Sequence, residues 1–239
     1  MDVKFLTKFI DEEGLDVELM KSEYRWKAAD SWTKAFENDL LMKYLSADLR
    51  TPPEQSKMVY AHFGALLLYG LTKIVLVIDG GASVLVAYVQ PIYMHDMELE
   101  ASSFRTPSKS TRKSGYLASQ AIRFVEWLPS AVTGLKRAAD ANAKMERMRQ
   151  DNLGQRKDEM FWINAVFTHP EHQKRGYAGR LLDTLLKLAD LSGQGCFLEC
   201  GPENVAFYKG RGFNVVDNVI LESEGSRVEI RLMVREATK

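Results

Sequence analysis

The segment from Phe161 to Leu182 constrains this chain more than any other part of its sequence. Its letters, FWINAVFTHPEHQKRGYAGRLL, contain an apolar strand, a polar turn, a glycine-bearing loop and the start of an amphipathic helix. The first turn of a helix has unpaired backbone N–H groups and the positive end of the helix dipole, so it stabilises anionic oxygen. Gly176 and Ala178 allow a bulky ligand to approach the backbone closely. This order of elements predicts a phosphate-binding loop.

The side chains around this loop add further donors for an anion, namely Gln173, Lys174, Arg175 and Arg180. Two other kinds of phosphate loop do not match, because the chain has neither GxxxxGK[ST] nor GxGxxG after a strand. A strand, a turn and a helix with one glycine also occur in folds that bind no phosphate. The loop therefore needs support from a second motif.

That second motif is CFLECGPENVAFYKGRGF, from Cys196 to Phe213. A short apolar strand is followed by a helix with Asn204 as its predicted N-cap and Gly212 as its predicted stop. By themselves, the aromatic residues of this motif would be ordinary core residues around a turn. The two motifs occur in the order strand, helix, strand, helix, which predicts one binding unit.

Together the motifs resemble the GNAT superfamily of N-acetyltransferases. Gln173, Gly176 and Ala178 have the QxxGxA spacing of the family's pyrophosphate loop, and NxxFYxxxGF is similar to its fourth conserved region. The resemblance implies acetyl-CoA as the acetyl donor. It also implies that Asn204 binds the pantetheine arm and that Tyr208 protonates the leaving thiolate.

The resemblance covers roughly residues 161–235. The residues of the two motifs look most like those of the branch that contains puromycin N-acetyltransferase and many fungal relatives. It implies an α/β (α+β) fold with a central mixed, mostly antiparallel sheet of about six to seven strands flanked by helices. We predict a single domain over residues 1–239, with a substrate-side half at about 1–152 and an acetyl-CoA-binding half at about 160–235. We expect the first half to determine substrate choice. In that half, only the order of the elements and their residue pattern resemble the family.

The residues that the resemblance assigns to cofactor binding lie on the strand, on the loop and helix after it, and in the second motif. They are Ala165, Val166, Phe167, Gln173, Lys174, Arg175, Gly176, Tyr177, Ala178, Gly179, Arg180, Asn204, Phe207 and Tyr208. A strand amide near Ala165 or Val166 would polarise the thioester carbonyl. We expect no metal.

The reaction needs a base, because a lysine-like amine has a pKa of about 10.4 and is protonated at neutral pH. Glu199 is our candidate, since it interrupts an otherwise apolar strand. An outward-pointing glutamate on a half-buried strand is an equal alternative, and Glu203 and Glu126 are weaker candidates for the base. Tyr208 would be the general acid, because its ordinary pKa of about 10 is close enough to that of a thiol for proton donation.

The histidines and cysteines suggest no metal or covalent chemistry. His169 and His172 form an HxxH on a proline-containing turn with no third ligand, so turn and cap roles are expected. Cys196 and Cys200 lie on one face of the same predicted strand, too far apart to bridge easily, and are predicted to be reduced core thiols. They fit a cytoplasmic protein, with the nucleus left open. An acetyl-cysteine route lacks an adjacent histidine base.

In the N-terminal half, Val3 to Ile10 could be a strand, a helix or an extension. The segment from Ala29 to Leu45 has apolar residues at helical spacing, with Asp30 or Ser31 as its N-cap. A second helix follows Pro52 and Pro53. The run IVLVIDGGASVLVAYVQP then predicts a β-hairpin.

A long insert precedes the cofactor strand. Residues 98–115 are rich in Ser, Thr, Lys and Arg, which is typical of a mobile loop, although an acidic partner is an alternative. Residues 116–152 are helical in pattern, with an interruption at Pro129. We expect this insert to recognise the acceptor.

Composition excludes several classes of partner. The hydrophobic content of 46% and the charged content of 27% are typical of a globular protein. Lys+Arg and Asp+Glu are equal at 32 each, so no global positive field recruits nucleic acid or anionic membrane. The apolar runs are too short to cross a bilayer, and we see no secretory signal.

The sequence thus predicts an acetyl-CoA-dependent N-acetyltransferase that acts directly on a primary amine, with a small molecule as the leading acceptor. A protein lysine or N-terminus is the alternative acceptor, and a non-catalytic acetyl-CoA-binding module is the alternative function. A homodimer stays open, since a strand edge or the long helix could form its interface.

Overall fold

A computed structural model describes residues 3–12, 16–47, 73–88, 136–223 and 225–238. These residues form one seven-stranded sheet in the order β1-β2-β3-β4-β5-β7-β6. Its strands are β1 (Glu18–Leu19), β2 (Lys73–Ile78), β3 (Ser83–Tyr88), β4 (Phe161–Thr168), β5 (Cys196–Cys200), β6 (Asn214–Ser223) and β7 (Ser226–Arg235). Only the β4–β5 pair is parallel, and the other neighbouring pairs are antiparallel. The predicted mixed, mostly antiparallel α/β sheet is confirmed.

Helices cover both faces of this sheet. They are α1 (Val3–Glu12), α2 (Arg25–Ala35), α3 (Leu40–Ser46), α4 (Lys136–Leu153), α5 (Tyr177–Leu191) and α6 (Val205–Lys209). On one side, termed the α5 face, apolar residues of α1, α5 and α6 share a core with the sheet. On the other side, termed the α4 face, residues of α2, α3 and α4 form three smaller cores. No described helix is long and apolar enough to span a membrane.

The N-terminal segment whose conformation was left open is the helix α1. The next helical prediction is wrong in its boundaries, because α2 begins at Arg25 and the predicted caps, Asp30 and Ser31, lie inside it. α3 is a separate helix, since the Asp39 carboxylate accepts a hydrogen bond from the Met42 N–H at 2.7 Å. This side-chain cap satisfies one of the amides that a helix start leaves unpaired.

The predicted hairpin is confirmed as β2 and β3, which pair along their full lengths. Its turn contains three consecutive residues with positive φ, Asp79 at 50°, Gly80 at 57° and Gly81 at 99°. Glycine favours this conformation because it has no Cβ to clash with the carbonyl oxygen.

Several predictions fall outside the described residues. They concern the helix after Pro52 and Pro53, the loop at 98–115, Glu126, and the helical pattern from 116 to 135 with its break at Pro129. The end of the insert is described, as the helix α4.

The β4–β5 pair has a short ladder. Its three pairs are Phe161 with Cys196, Trp162 with Phe197, and Ile163 with Leu198. β4 continues to Thr168 and β5 to Cys200 outside that ladder. We call the space between these unpaired strand ends the β4–β5 opening.

Candidate active site

The predicted phosphate loop connects β4 to α5 and is held by its own polar groups. The Gln173 side-chain amide donates to the Thr168 carbonyl at 3.3 Å, and Arg175 donates to the Glu171 carbonyl at 3.1 Å. Lys174 has a positive φ of 61° without being glycine. These contacts turn the chain sharply, so that the loop leads directly into α5.

Gly176 stands at the N-cap of α5 with φ at 77°, and no side chain caps this helix. The first amides of α5 therefore have no cap from the protein, and the dipole adds positive potential there. No described atom lies within 4 Å of the point where a Cβ on Gly176 would stand. The start of α5 thus has open space beside Gly176 and no side-chain cap, and its role in binding phosphate stays a prediction.

Two arginines beside this helix start are paired with carboxylates. Arg180 bonds Asp16 at 2.7 Å, and Arg211 bonds Asp183 at 2.8 Å. The Arg211 guanidinium lies so close to Gly179 that a Cβ there would be 2.3 Å from its Nη2 atom. Arg180 was predicted at this site. Arg211 was not predicted from the sequence, and it reaches α5 from the turn after α6.

The hydrogen bonds of β4 show which of its backbone groups face the β4–β5 opening. The Phe167 carbonyl accepts a bond from the Ser83 hydroxyl at 3.1 Å, and the His169 N–H donates to the Ala82 carbonyl at 2.8 Å. Both groups therefore point towards β3. Because the direction alternates along a strand, the N–H and C=O of Val166 point towards the opening.

The remaining predicted residues of β4 take other directions. A register shift between Val86 and Ala87 leaves Asn164 as an extra, exposed residue of β4. Ala165 pairs with Val86, and the Phe167 ring packs on Trp32 of α2. Of the three predicted residues of β4, Val166 is therefore the one whose backbone groups face the opening.

Tyr208 of α6 is 8% exposed on the α5 face. Its ring meets Phe207 and Phe213 edge-on at 5.1 and 5.9 Å. Burial raises the pKa of its hydroxyl, the nearby Cys200 thiol raises it further, and Arg211 opposes the shift. Tyr208 is protonated at neutral pH, but its raised pKa makes it a weaker proton donor than the ordinary tyrosine pKa predicts.

Asn204 stands at the N-cap position of α6, but its side chain makes no capping bond. The predicted capping role is wrong, because the Asn204 amide is exposed and donates to the Glu203 carboxylate at 3.1 Å. The predicted stop at Gly212 is confirmed. Gly212 has φ at 84°, and the Phe213 N–H returns to the Tyr208 carbonyl at 3.3 Å.

Glu199 of β5 points to the α4 face, opposite to Cys200. Its side chain is only 9% exposed, so it is not the outward-pointing glutamate of the alternative interpretation. Arg149 of α4 donates to one carboxylate oxygen at 2.6 Å, and the Trp162 indole N–H donates to the other at 2.9 Å. Burial raises the pKa of Glu199, while Arg149 and Trp162 lower it.

Arg149 and Trp162 were not predicted as partners of Glu199, although the sequence contains a signal for Arg149. It follows the buried residues Ala141 and Met145 at four-residue spacing, so it stands on the buried stripe of α4. A cation on such a stripe requires a buried carboxylate or another strong acceptor.

The histidines and cysteines have structural roles. His169 caps the short turn at Pro170–His172 by accepting the Glu171 N–H at 3.3 Å, which confirms the predicted cap role. Cys196 and Cys200 are free and buried in the same core, as predicted. Burial raises the pKa of each thiol to about 12, so neither is a ready nucleophile. In the described part of the chain, no group of three or more His, Cys, Asp or Glu side chains is arranged to hold a metal ion.

The two predicted catalytic residues lie on opposite faces of the sheet, Glu199 on β5 and Tyr208 near Cys200 at the end of β5. Tyr208 and the start of α5 lie on the α5 face, and Glu199 lies on the α4 face. The ladder that would close the sheet between them ends after Ile163 and Leu198. A group held from one face can react there with a group that enters from the other.

Comparisons with known proteins concern the two motifs and the fold. The model of the acetyltransferase (GNAT) family matches residues 144–213, which include both sequence motifs. A comparison with curated proteins finds no significant match. Among solved structures, a histone acetyltransferase HPA2 and related acetyltransferase from Corynebacterium glutamicum has a TM-score of 0.54 at 13% identity. The alignment covers 93% of this chain and 96% of that chain.

Two further structures are similar at lower TM-scores. The ribosomal-protein-S18-alanine N-acetyltransferase from Escherichia coli has a TM-score of 0.46 at 10% identity, and the alignment covers 93% of this chain and 94% of that chain. A mosquito arylalkylamine N-acetyltransferase like 5b has a TM-score of 0.47 at 12% identity, over 92% and 98%. The chain thus matches the acetyltransferase (GNAT) family model over residues 144–213 and shares the fold of a solved acetyltransferase structure over 93% of its length.

Proposed function

We propose that this protein transfers an acetyl group from acetyl-CoA directly to a primary amine of a small molecule, and that the transfer takes place at the β4–β5 opening. One observation carries the proposal. The parallel ladder stops after Ile163 and Leu198, with Tyr208 on one side of the sheet and Glu199 on the other. Donor and acceptor can therefore meet between the strands, each supported by its own proton-transfer group.

The donor would be held mainly by backbone groups. The uncapped amides of α5 bind the pyrophosphate, with Lys174 and Arg175 providing positive charge. The Val166 N–H faces the opening, so it polarises the thioester carbonyl and stabilises the developing oxyanion. The exposed amide of Asn204 binds the pantetheine arm, as the family resemblance implies.

Each proton in the transfer has a destination. Glu199 removes the proton of the acceptor ammonium, and the neutral nitrogen attacks the thioester carbon. The C–S bond then breaks as Tyr208 donates its proton to the leaving sulfur. The nitrogen loses its second proton, which restores the Tyr208 hydroxyl, and Glu199 releases the first proton to solvent, so the products are the amide and free coenzyme A. Burial raises the pKa of Glu199, which makes it a stronger base towards an ammonium.

The charge on the described acceptor side supports a small amine. Arg149 and Lys157 balance Glu146 and Glu199 there, so this cluster presents no net negative field to a polycationic peptide. Tyr88 and Trp162 add stacked aromatic surface at a centroid distance of 4.9 Å. The resemblance to the puromycin N-acetyltransferase branch makes puromycin, an amine with an aromatic group, one acceptor to test.

We also infer a single domain over residues 1–239, since strands from both halves of the chain share one sheet. The two free thiols support a cytoplasmic location.

Thiol release from acetyl-CoA tests the proposal against a panel of arylalkylamines, puromycin, polyamines, aminoglycosides, and peptides with a free lysine or N-terminus. We expect the highest kcat/KM with a small amine. Activity on peptides alone would favour the alternative, a protein acetyltransferase. Thermal stabilisation by acetyl-CoA without hydrolysis or transfer would instead favour a non-catalytic binding module.

A further inference from the structure

Each carboxylate oxygen of Glu199 accepts one hydrogen bond and keeps a second acceptor site. Arg149 bonds Oε1 at 2.6 Å, and the Trp162 indole N–H bonds Oε2 at 2.9 Å. The guanidinium carbon of Arg149 also lies 4.7 Å from the centre of the Trp162 ring, on which Tyr88 stacks. The carboxylate is thereby fixed in position and in rotation by two donors from different elements.

This ion pair is buried, with side-chain exposures of 12% for Arg149 and 9% for Glu199. A buried pair contributes little net stability relative to apolar residues of the same volume, because both charges lose their hydration. Stability alone is therefore a weak reason for a pair at this place. Its position next to Leu198, where the β4–β5 ladder ends, gives it a functional reason.

The charges around Glu199 come from three described elements. Arg149 and Glu146 lie on α4, and Lys157, in the turn after α4, bonds Glu146. Trp162 approaches from β4, and its indole N–H is a neutral donor. Arg149 also donates to Glu146 at 2.9 Å, so its guanidinium group is held between the buried Glu199 carboxylate and the exposed Glu146 carboxylate.

We propose that Arg149 is a positioning residue for the transfer: with Trp162 it orients Glu199 towards the β4–β5 opening and keeps that carboxylate ionised. This inference rests on the proposed function, in which Glu199 is the general base. Arg149 itself touches neither substrate. Its effect is exerted entirely through Glu199.

The direction of the effect follows from the two opposing influences on Glu199. Burial raises its pKa and Arg149 lowers it, so loss of the guanidinium raises the pKa further. A base works only when it is deprotonated, so the acidic limb of the kcat/KM profile moves to higher pH. An opposite charge at this distance typically shifts a carboxyl pKa by about one to three units.

The test compares Arg149→Met and Arg149→Lys with Arg156→Met, using the best amine found by thiol release. Arg156 is an exposed arginine that pairs with Glu236 at 2.6 Å, so it controls for loss of a surface charge. We expect the midpoint of the acidic limb of the kcat/KM profile to lie about one to two pH units higher in Arg149→Met than in wild type. Arg149→Lys should lie between it and wild type, and Arg156→Met should match wild type.

A second readout does not depend on turnover. Titration of the Glu199 side-chain carboxyl by ¹³C NMR, assigned with Glu199→Gln, reports its pKa directly in wild type and in each Arg149 variant. Acetyl-CoA affinity, measured by calorimetry, should stay within about threefold of wild type, because the donor loop is on the other face of the sheet.

An unmoved acidic limb together with an unmoved Glu199 titration in Arg149→Met would overturn the positioning role. If Arg149→Met does not fold, Arg149→Lys decides: an upward shift supports the role and an unchanged profile overturns it. Absence of thiol release by wild type with every amine refutes the proposed function instead. The carboxyl titration then still decides whether Arg149 controls the ionisation of Glu199.

Discussion

The two faces of the β4–β5 opening are built in different ways. On the α5 face, one continuous segment from β4 to the first turn of α5 supplies the anion site, mostly through backbone groups. On the α4 face, Glu199 is fixed by residues that are 50 and 37 positions away in the chain. A site made of backbone groups depends on local conformation, whereas a site made of distant side chains depends on tertiary packing.

This difference predicts where each face is fragile. Exchanges that keep side-chain shape but remove charge or a hydroxyl should impair chemistry at the opening and leave the donor bound. A substitution that strains the loop backbone should do the opposite. The following variants separate the two faces, starting with the largest expected effect.

Glu199→Gln should lower kcat about 10²- to 10³-fold, since it removes the proposed base but keeps its shape. Acetyl-CoA affinity, measured by calorimetry, should remain within about threefold of wild type. Glu146→Gln is the matched control, because it also removes an Arg149 partner but from a half-exposed position. Equal kcat values for Glu199→Gln and wild type would remove Glu199 from the mechanism.

Tyr208→Phe should lower kcat about 10²-fold, because the leaving thiolate loses its proton donor. Tyr44→Phe serves as control: it deletes the hydroxyl of another buried tyrosine, which bonds the Glu222 carbonyl at 3.3 Å. Single-turnover thiol release distinguishes the chemical step from product release. Unchanged single-turnover rates in Tyr208→Phe would show that another group, or water, protonates the sulfur.

Gly176→Ala should weaken acetyl-CoA binding about tenfold, because a Cβ at φ of 77° strains the loop and occupies the anion site. Gly193→Ala places the same methyl group at φ of 65°, at the other end of α5, where no described atom is within 4 Å. Both variants should lose about 1 kcal/mol of unfolding free energy. Equal acetyl-CoA affinities in the two variants would contradict a donor site at Gly176.

The smallest effect concerns stability alone. Arg235 holds Asp190 through two bonds of 2.7 and 2.8 Å, which lowers the pKa of Asp190 to about 2. A depressed carboxyl pKa stabilises the fold above about pH 4, and this contribution is lost as the pH falls towards 2. Asp190→Asn should therefore cost about 1 to 2 kcal/mol in urea unfolding at pH 7 and about half as much near pH 3. Its thiol release should equal that of wild type.

If wild type and Asp190→Asn instead differed by the same amount at both pH values, the charge of Asp190 would not be the cause. Glu236→Gln, at an exposed ion pair with Arg156, should change unfolding by no more than about 0.5 kcal/mol.

The predictions from sequence succeeded where the signal is local. The strand before Gln173, the hairpin around Gly80 and the stop at Gly212 depend on nearby residues, whose turn and cap preferences are strong. The boundaries of α2 and α3 were missed because α2 begins at Arg25 without a side-chain cap, whereas Asp39 and not Asp30 caps the next helix, α3. Propensity alone cannot choose between two aspartates nine positions apart.

The candidate site shows the same limit. Glu199 was found because a carboxylate in an apolar strand is unusual, but its partner on α4 was not. Arg149 is also unusual, as a cation on the buried stripe of a helix. That it forms an ion pair with Glu199 is visible only in the three-dimensional structure. The direction of the Val166 N–H could not be predicted from the sequence either, because it depends on which edge of β4 pairs with β3.

The three-residue ladder between β4 and β5 has a mechanical consequence. Among the described strands it is the only pairing that joins β1–β4 to β5–β7, so three residue pairs form the seam between these two parts of the sheet. A ligand that hydrogen-bonds to both strand ends would add a further connection between β4 and β5 across this seam. Donor binding should then slow amide hydrogen exchange on both sides of the seam together, as a cross-link would, and this coupling would persist even where no acceptor is present.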